Sequence, residues 1–214
     1  SVTLLVTGST KALPDEKAFE TLQPSAREGW SNVASGNRSN VGGGWANVAS
    51  GSESTVAGGW SNIASGIEST VGGGWNNNAS GNEACVSGGV ANAAEGDFTS
   101  VGGGTQNVAA AEHAHIGGGE HNSARSVASV VSGGQYNVAA GEFAAIGGGR
   151  HNEASAGGSS VGGGEDNSAS GESSSIGGGY KNTAAGAAAT VGGGDGNTAV
   201  GADATVAGGE DNKA

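Results

Sequence analysis

The stretch Ser69-Thr70-Val71-Gly72-Gly73-Gly74-Trp75-Asn76-Asn77-Asn78-Ala79-Ser80-Gly81-Asn82-Glu83 is one copy of a unit of fifteen residues. The unit begins near Ala26 and runs in phase to Ala214, with no insertion or deletion. Its central Asn, for example, returns in every copy from Asn32 to Asn212. A fixed short period of this kind predicts an all-β solenoid in which each repeat forms one turn of a stacked coil.

The composition excludes several other classes of protein. The chain has 214 residues with 46 Gly but only two Pro, and its period is fifteen rather than three, which excludes collagen. Aromatic residues make up 4%, too few for an ordinary globular core. The net charge of −12 argues against nucleic acid and anionic membrane surfaces as partners. Cys85 is alone, so no disulfide framework is expected.

Small residues alternate along two segments of each unit, which predicts two short strands with turns near residues 37–38 and 44–46. Folding the segments together places Ala34 opposite Val41, a small residue against a larger one. Identical residues then stack at about 4.8 Å, so the repeats form a rod of about 60 Å. The residues expected to form such inward ladders include Asn32, Asn47, Asn62, Asn77, Ala34, Ala49, Val41 and Val71.

Two parts of the chain depart from the regular unit. Residues 1–25 lie outside the repeat and predict a short strand and a short helix, which either cap the first coil or remain from an upstream domain. The repeat domain is residues 26–214. Within it, Ala111, Ser126 and Ala156 replace a recurrent Gly, so local irregularity is expected around Ser123 to Ser132.

All four Trp residues share one phase of the repeat, and a solenoid places them in a ladder along one edge. Such a ladder suits stacking on sugar rings or binding of an apolar partner. The alternative is mutual stacking that rigidifies the turn, or packing between subunits. These candidate binding residues are Trp30, Trp45, Trp60 and Trp75.

The titratable residues give no metal centre, no cofactor site and no catalytic set. His113 and His115 are two apart and are expected on one side of a strand, but no carboxylate or Cys completes a set of ligands with them. His121 and His151 are therefore also interpreted as surface residues. The acidic positions Glu53, Glu68 and Glu83 predict a solvated negative edge; a calcium bridge is the alternative. The Gly turns lack the Lys of a phosphate-binding loop, so we expect no enzyme.

A flat outward face of small residues is the remaining candidate surface. Its hydroxyl positions are Thr55, Thr70, Ser100, Ser160, Ser175, Thr190 and Thr205. The face is either an ice-binding array or the seam between three chains, and the interruptions at Asn40, Cys85, His115 and Val130 favour the seam. Each coil buries only one branched side chain. The apolar area that it removes from water offsets little of the conformational entropy lost when the fifteen residues of the coil become ordered. We therefore predict a parallel homotrimer with Thr70, Val130 and Thr190 at the subunit contact.

The piece Ala64-Ser65-Gly66-Ile67-Glu68-Ser69-Thr70-Val71-Gly72 resembles the Ala-x-Gly-x-x-Ser-x-Ala-Ile-Gly repeat of YadA-like head domains of trimeric autotransporter adhesins. The resemblance covers residues 26–214. It implies a left-handed parallel β-roll, a homotrimer, and display on the bacterial cell surface through a stalk and anchor. The family repeat is nearer fourteen residues, and its large apolar residue aligns with Gly72 whereas the branched residue here is Val71.

The sequence thus favours an extracellular adhesin head or rigid surface-fibre segment that attaches by multivalent contact. A host-surface protein or glycan is the expected partner besides the chain itself, and this segment is expected to contact neither nucleic acid nor membrane. Two alternatives belong to other classes: a phage tail-fibre or self-assembling filament protein, and an ice-binding solenoid.

Overall fold

A computed structural model describes residues 25–26 and 29–214 of the chain. The strand and helix predicted within residues 1–25 therefore lie almost wholly outside the described residues. The described part is all-β and contains no helix, including none that could span a membrane. Its strands stack in parallel at fifteen-residue spacing, which confirms the predicted solenoid.

One side of the solenoid is a parallel sheet of 13 two-residue strands, called here the valine sheet because its inward residue is Val or Ile from the second strand onward. Each strand pairs with those of the neighbouring coils, as in the pairing of Val71 with Val86. The strands are Ser25–Ala26, Asn40–Val41, Thr55–Val56, Thr70–Val71, Cys85–Val86, Ser100–Val101, His115–Ile116, Val130–Val131, Ala145–Ile146, Ser160–Val161, Ser175–Ile176, Thr190–Val191 and Thr205–Val206.

The facing side is a parallel sheet of 12 two-residue strands, called here the alanine sheet because Ala occupies every inward position. Its register is the same, so that Ala79 pairs with Ala94. The strands are Val33–Ala34, Val48–Ala49, Ile63–Ala64, Asn78–Ala79, Ala93–Ala94, Val108–Ala109, Ser123–Ala124, Val138–Ala139, Glu153–Ala154, Ser168–Ala169, Thr183–Ala184 and Thr198–Ala199.

The coil has a third parallel ladder that the sequence did not predict, called here the edge ladder. It starts with the strand pair Gly29–Trp30 and Gly44–Trp45 and continues as single-residue bridges from Trp60 to Glu210. The predicted turn at residues 44–46 is therefore two bends, at Gly43 and Ala46, with the paired strand Gly44–Trp45 between them. Gly44, at φ 90°, makes this possible because few other residues adopt that backbone conformation.

The interior between the two sheets is narrow and almost free of solvent. The inward Val and Ile residues from Val41 to Val191 are 0–1% exposed, and the inward Ala residues from Ala49 to Ala199 are 0% exposed. Gly and Ser of the same coil also meet, since Ser54 Oγ donates to the carbonyl oxygen of Gly51 at 2.8 Å.

The expected irregularity around Ser123 to Ser132 is wrong for strand pairing, because both sheets run through this region in unchanged register. The replacement of Gly at Ala111, Ser126 and Ala156 affects only one weak hydrogen bond between coils. In most coils the Ala carbonyl oxygen of the next coil accepts two hydrogen bonds, and the longer one comes from the Gly of this phase. An example is the bond from the Gly66 N–H to the Ala79 carbonyl oxygen at 3.4 Å. No such bond is made by Ala111, Ser126 or Ala156. The solenoid therefore accommodates a Cβ at this phase without a change in strand register.

Replacing Ala109 by Leu tests how tightly this interior is packed. Ala109 is fully buried and lies between Ala94 and Ala124 of the adjacent coils. We expect Ala109→Leu to lower the free energy of unfolding by about 1–3 kcal/mol or more, because an overpacked stacked coil has little room to relax. The measurement is thermal unfolding followed by circular dichroism. Val108→Leu, at the neighbouring outward position, is the control and should change stability little. Equal melting temperatures for the two variants would contradict a packed interior.

Candidate functional site

The inward Asn residues form a continuous hydrogen-bonded ladder beside the edge ladder. In a typical coil, the two N–H groups of Asn77 Nδ2 are shared among three acceptors, Asn62 Oδ1 at 3.1 Å and the Gly73 and Gly89 carbonyl oxygens at 2.8 and 2.9 Å. Its Oδ1 accepts from the backbone N–H and Nδ2 of Asn92, at 3.0 and 3.2 Å. These side chains are buried and fully engaged, so they are structural and leave no group for a ligand.

The outward surface is carried by two turn positions in each coil that have left-handed backbone conformations. Ala46 and Glu53 are examples, with φ of 54° and 59°. Nearly every residue at these two positions is not Gly, although a left-handed backbone conformation favours Gly. Each is held by a hydrogen bond to the preceding coil, such as Glu53 N–H to the Asn37 carbonyl oxygen at 2.7 Å. Their side chains therefore project in regular columns away from the solenoid.

The four Trp residues lie together on the edge ladder and remain exposed, with 53–76% of each residue accessible. Trp45 and Trp60 stack with ring centroids 5.8 Å apart, and Trp60 and Trp75 stack at 5.9 Å. The interplanar angles are 28° and 27°. Mutual stacking and ligand binding are thus compatible in this ladder, because the indoles stack on each other and still present their edges to solvent.

The Trp ladder ends in a notch. Val90 follows Trp75 on the edge ladder, and Ala91 stands beside it at the turn, so both side chains of this coil are short. The notch has a volume of about 350 Å³. Its lining residues are Trp75, Asn76, Val90, Ala91, Thr105 and Gln106. The sequence placed Trp75 in a binding strip but gave no indication of this depression.

The expectation that His113 and His115 share one side of a strand is wrong. His115 lies on a valine-sheet strand, where its Nδ1 is 2.6 Å from Ser100 Oγ, but His113 occupies a left-handed turn. There His113 stacks on Phe98 at 5.0 Å, and its Nε2 lies 3.3 Å from Glu112 Oε1. The two imidazoles therefore belong to different surfaces of the solenoid.

His121 and His151 belong to one aromatic column. Tyr136 lies between them, with ring centroids 4.7 Å from His121 and 4.9 Å from His151. The planes are within 8° of parallel, so the column is a continuous stack. Nowhere in the described ranges do three His, Cys, Asp or Glu side chains converge as metal ligands.

Among the residues that the structure describes, two exposed Arg–Glu ion pairs join adjacent coils. The acidic column of Glu53, Glu68 and Glu83 starts beside Arg38, whose Nη1 lies 3.0 Å from Glu53 Oε1. Exposed pairs of this kind contribute little to stability. The column is therefore a solvated acidic edge with one neutralised end.

A second group of charges follows the Trp ladder on the same edge. Arg150 contacts Glu165, which raises the pKa of the guanidinium through a hydrogen bond and through its charge. Lys181 lies 4.7 Å from the ring centroid of Tyr180, and its pKa is raised by a hydrogen bond to that side chain. The edge thus changes from aromatic to charged along the rod.

The flat face is the outward side of the valine sheet. Thr70, Val130 and Thr190, together with Cys85, lie on it half-buried between their neighbours of adjacent coils. From Gly42 to Ala207, the column beside them consists of Gly, Ala and Ser only, for example Gly72. Apart from exposed residues such as His115, the face is therefore low in relief.

These features define the class of protein: the chain is a parallel β-solenoid repeat protein with ladders of like residues on its surfaces. Comparison with models of known protein families and with curated protein sequences gave no match.

Proposed function

We propose that the chain is a segment of an extracellular adhesin head or rigid surface fibre that attaches to its target by multivalent contact. The observation that carries the proposal is an exposed aromatic ladder fixed on an uninterrupted solenoid. Exposed Trp residues in a row are costly unless they are covered by a partner, since large apolar patches mark interaction sites. A rod also presents its surfaces at a fixed spacing. The resemblance to YadA-like head repeats supports a place on the bacterial cell surface.

We further propose that three chains associate in parallel along their flat faces. The small side chains of this face allow close approach of three backbones, and association would remove the face from water. Thr70, Val130 and Thr190 would then lie at the contact. Three copies of each binding surface on one rod would act together, so that weak individual contacts give firm attachment.

Light scattering coupled to size exclusion tests the trimer. At micromolar concentration the expected mass is three times the chain mass of 20.1 kDa, or about 60 kDa. Thr190→Arg places a charge on the flat face and should reduce the mass to that of one chain. Thr183→Arg is the matched control, because Thr183 occupies the equivalent outward position on the alanine sheet. A wild-type chain that elutes folded at 20.1 kDa contradicts the trimer.

Bead adhesion tests the attachment function. Beads coated with the protein, with its Thr190→Arg variant or with albumin are counted on fixed epithelial cells at equal protein density. Wild-type beads should exceed albumin beads by at least about tenfold, and the variant should fall between them because it loses avidity. Retention equal to that of albumin would contradict the proposal.

A second candidate function, ice binding, is favoured by one stretch of the flat face. Ser160, Ser175, Thr190 and Thr205 are successive outward residues in direct register, which gives a regular row of hydroxyl groups. Thermal hysteresis of a monomer in a freezing assay, together with absent bead adhesion, would select this function instead.

A further inference from the structure

We propose that the notch at the end of the Trp ladder binds one uncharged pyranose ring of a glycan. The inference deepens the proposed function, on which it rests, because it names the class of ligand that the aromatic edge contacts. The ring would stack on the free face of Trp75 and lie over Val90 and Ala91.

The first argument is the shape of the ladder end. One face of the Trp75 indole is covered by Trp60, and the other faces the coil of Val90, where no large side chain continues the stack. A ring on that face, at the 5.8–5.9 Å spacing of the Trp ladder, would lie level with Val90. Thr105, two coils from Trp75, then limits the notch on the opposite side at about 10 Å. The space therefore fits one ring.

The second argument is the chemistry of the lining. A pyranose has an apolar face of C–H groups and a rim of hydroxyl groups, which suits an indole beside amide groups. Asn76 and Gln106 stand at opposite ends of the notch, and neither side-chain amide makes a hydrogen bond in the part of the chain that the structure describes. Each amide offers both donors and an acceptor to hydroxyl groups.

The same lining disfavours other rings. None of the six lining side chains is charged, so the notch offers no partner to a phosphate, a carboxylate or an ammonium group. An aromatic side chain from a protein partner could stack on Trp75, but it would cover the amides of Asn76 and Gln106 without pairing them. Leaving polar groups unpaired on binding is unfavourable. An uncharged sugar satisfies both the indole and the amides.

Nuclear magnetic resonance of the four indole N–H groups tests the inference, with the signals assigned by single Trp→Phe variants. The probes are the methyl β-glycosides of glucose, galactose and N-acetylglucosamine. At least one should shift the Trp75 signal saturably, with a dissociation constant in the millimolar range, and leave the Trp30 signal in place. No shift of the Trp75 signal with any of the three would overturn the inference.

Two variants separate the notch from the rest of the ladder. Val90→Trp extends the Trp ladder by one coil, so it is compatible with the fold, and it fills the position of the ring. It should abolish the glycoside-dependent shift of Trp75, and retention of that shift would overturn the inference. Asn76→Ala combined with Gln106→Ala should weaken binding by at least about tenfold, because the hydroxyl groups lose their partners. Unchanged affinity in this double variant would overturn the role of the amides.

A control and a competing probe complete the test. Tyr180→Phe lies on the edge ladder seven coils beyond Trp75 and should leave the affinity within about twofold. N-acetyltyrosinamide should shift Trp75 less than the glycosides do, and a tighter interaction with it would replace the glycan by a protein partner. Bead adhesion without glycoside binding defeats only this inference, whereas glycoside binding without bead adhesion defeats the attachment function.

Discussion

Gly164→Ala is expected to destabilise the solenoid by about 3–5 kcal/mol, one of the largest effects of any single methyl group in the chain. Gly164 has φ of 87°, a conformation that L residues rarely adopt. A Cβ there would lie 2.1 Å from the Gly179 carbonyl oxygen and 2.8 Å from Asn167 Nδ2. The methyl group would therefore force apart two coils and break the hydrogen bonds of the Asn ladder.

The control is the neighbouring residue of the same Gly run. A Cβ on Gly163 meets nothing within 4 Å, so Gly163→Ala should change stability by no more than about 0.5 kcal/mol. Both variants are compared by urea unfolding monitored by circular dichroism. Similar urea midpoints for Gly164→Ala and Gly163→Ala would show that Gly164 does not closely approach Gly179 of the next coil.

The regular part of the fold was predictable because the same pattern of residues recurs in every coil. A single Ala or Val carries little information, but an Ala at the position of Ala34 in every coil marks one inward face. Period-two alternation then distinguishes inward from outward residues along each strand. The positions of both sheets followed from this pattern.

The edge ladder was not predictable by the same reasoning. From Trp60 onward each coil contributes a single bridged residue, and one residue has no alternation that could identify a strand. Its side chains vary from Trp to Glu and Arg because they point to solvent. Only the Gly before each of them is constant, and a constant Gly predicts a turn as readily as a bridge.

The left-handed turn positions were missed for a different reason. Residues as unlike as Tyr136 and Lys181 occupy them, and neither has an intrinsic preference for positive φ. The conformation is imposed by pairing with the previous coil, as in the bond from the Tyr136 N–H to the Glu120 carbonyl oxygen at 2.9 Å. This tertiary contact overrides the local preference. The same turns separate His113 from His115 and so account for the wrong pairing of these residues.

The candidate site was only partly predictable. The end of the Trp series at Trp75 is visible in the sequence, but the notch also depends on Ala91, which projects from the adjacent turn column. No single residue type recurs along that turn column, so the residues that lie beside Val90 could be identified only from the structure.

Asn77→Leu is expected to destabilise the solenoid by about 2–6 kcal/mol, although the adjacent residues Asn76 and Asn78 have the same side chain. Asn77 is fully buried, and its replacement removes the acceptor of the Asn92 backbone N–H and the donor to the Gly73 carbonyl oxygen. The described residues provide no other partner for these two groups. Each buried group left unpaired costs about 1–3 kcal/mol, and Leu offers no hydrogen bond in return.

Asn78→Leu is the matched control, because it makes the same chemical change one residue away. Asn78 lies half-buried on the outward side of the alanine sheet, between Ile63 and Ala93, and only its backbone takes part in hydrogen bonds. Its replacement should leave the urea midpoint unchanged or raise it slightly through contact with Ile63. If Asn78→Leu lost as much stability as Asn77→Leu, the register of the coil would be wrong by one residue. An unchanged midpoint for both variants would mean that the Asn ladder contributes nothing, and the stability of the rod would then rest on backbone pairing and on the packed Val and Ala interior.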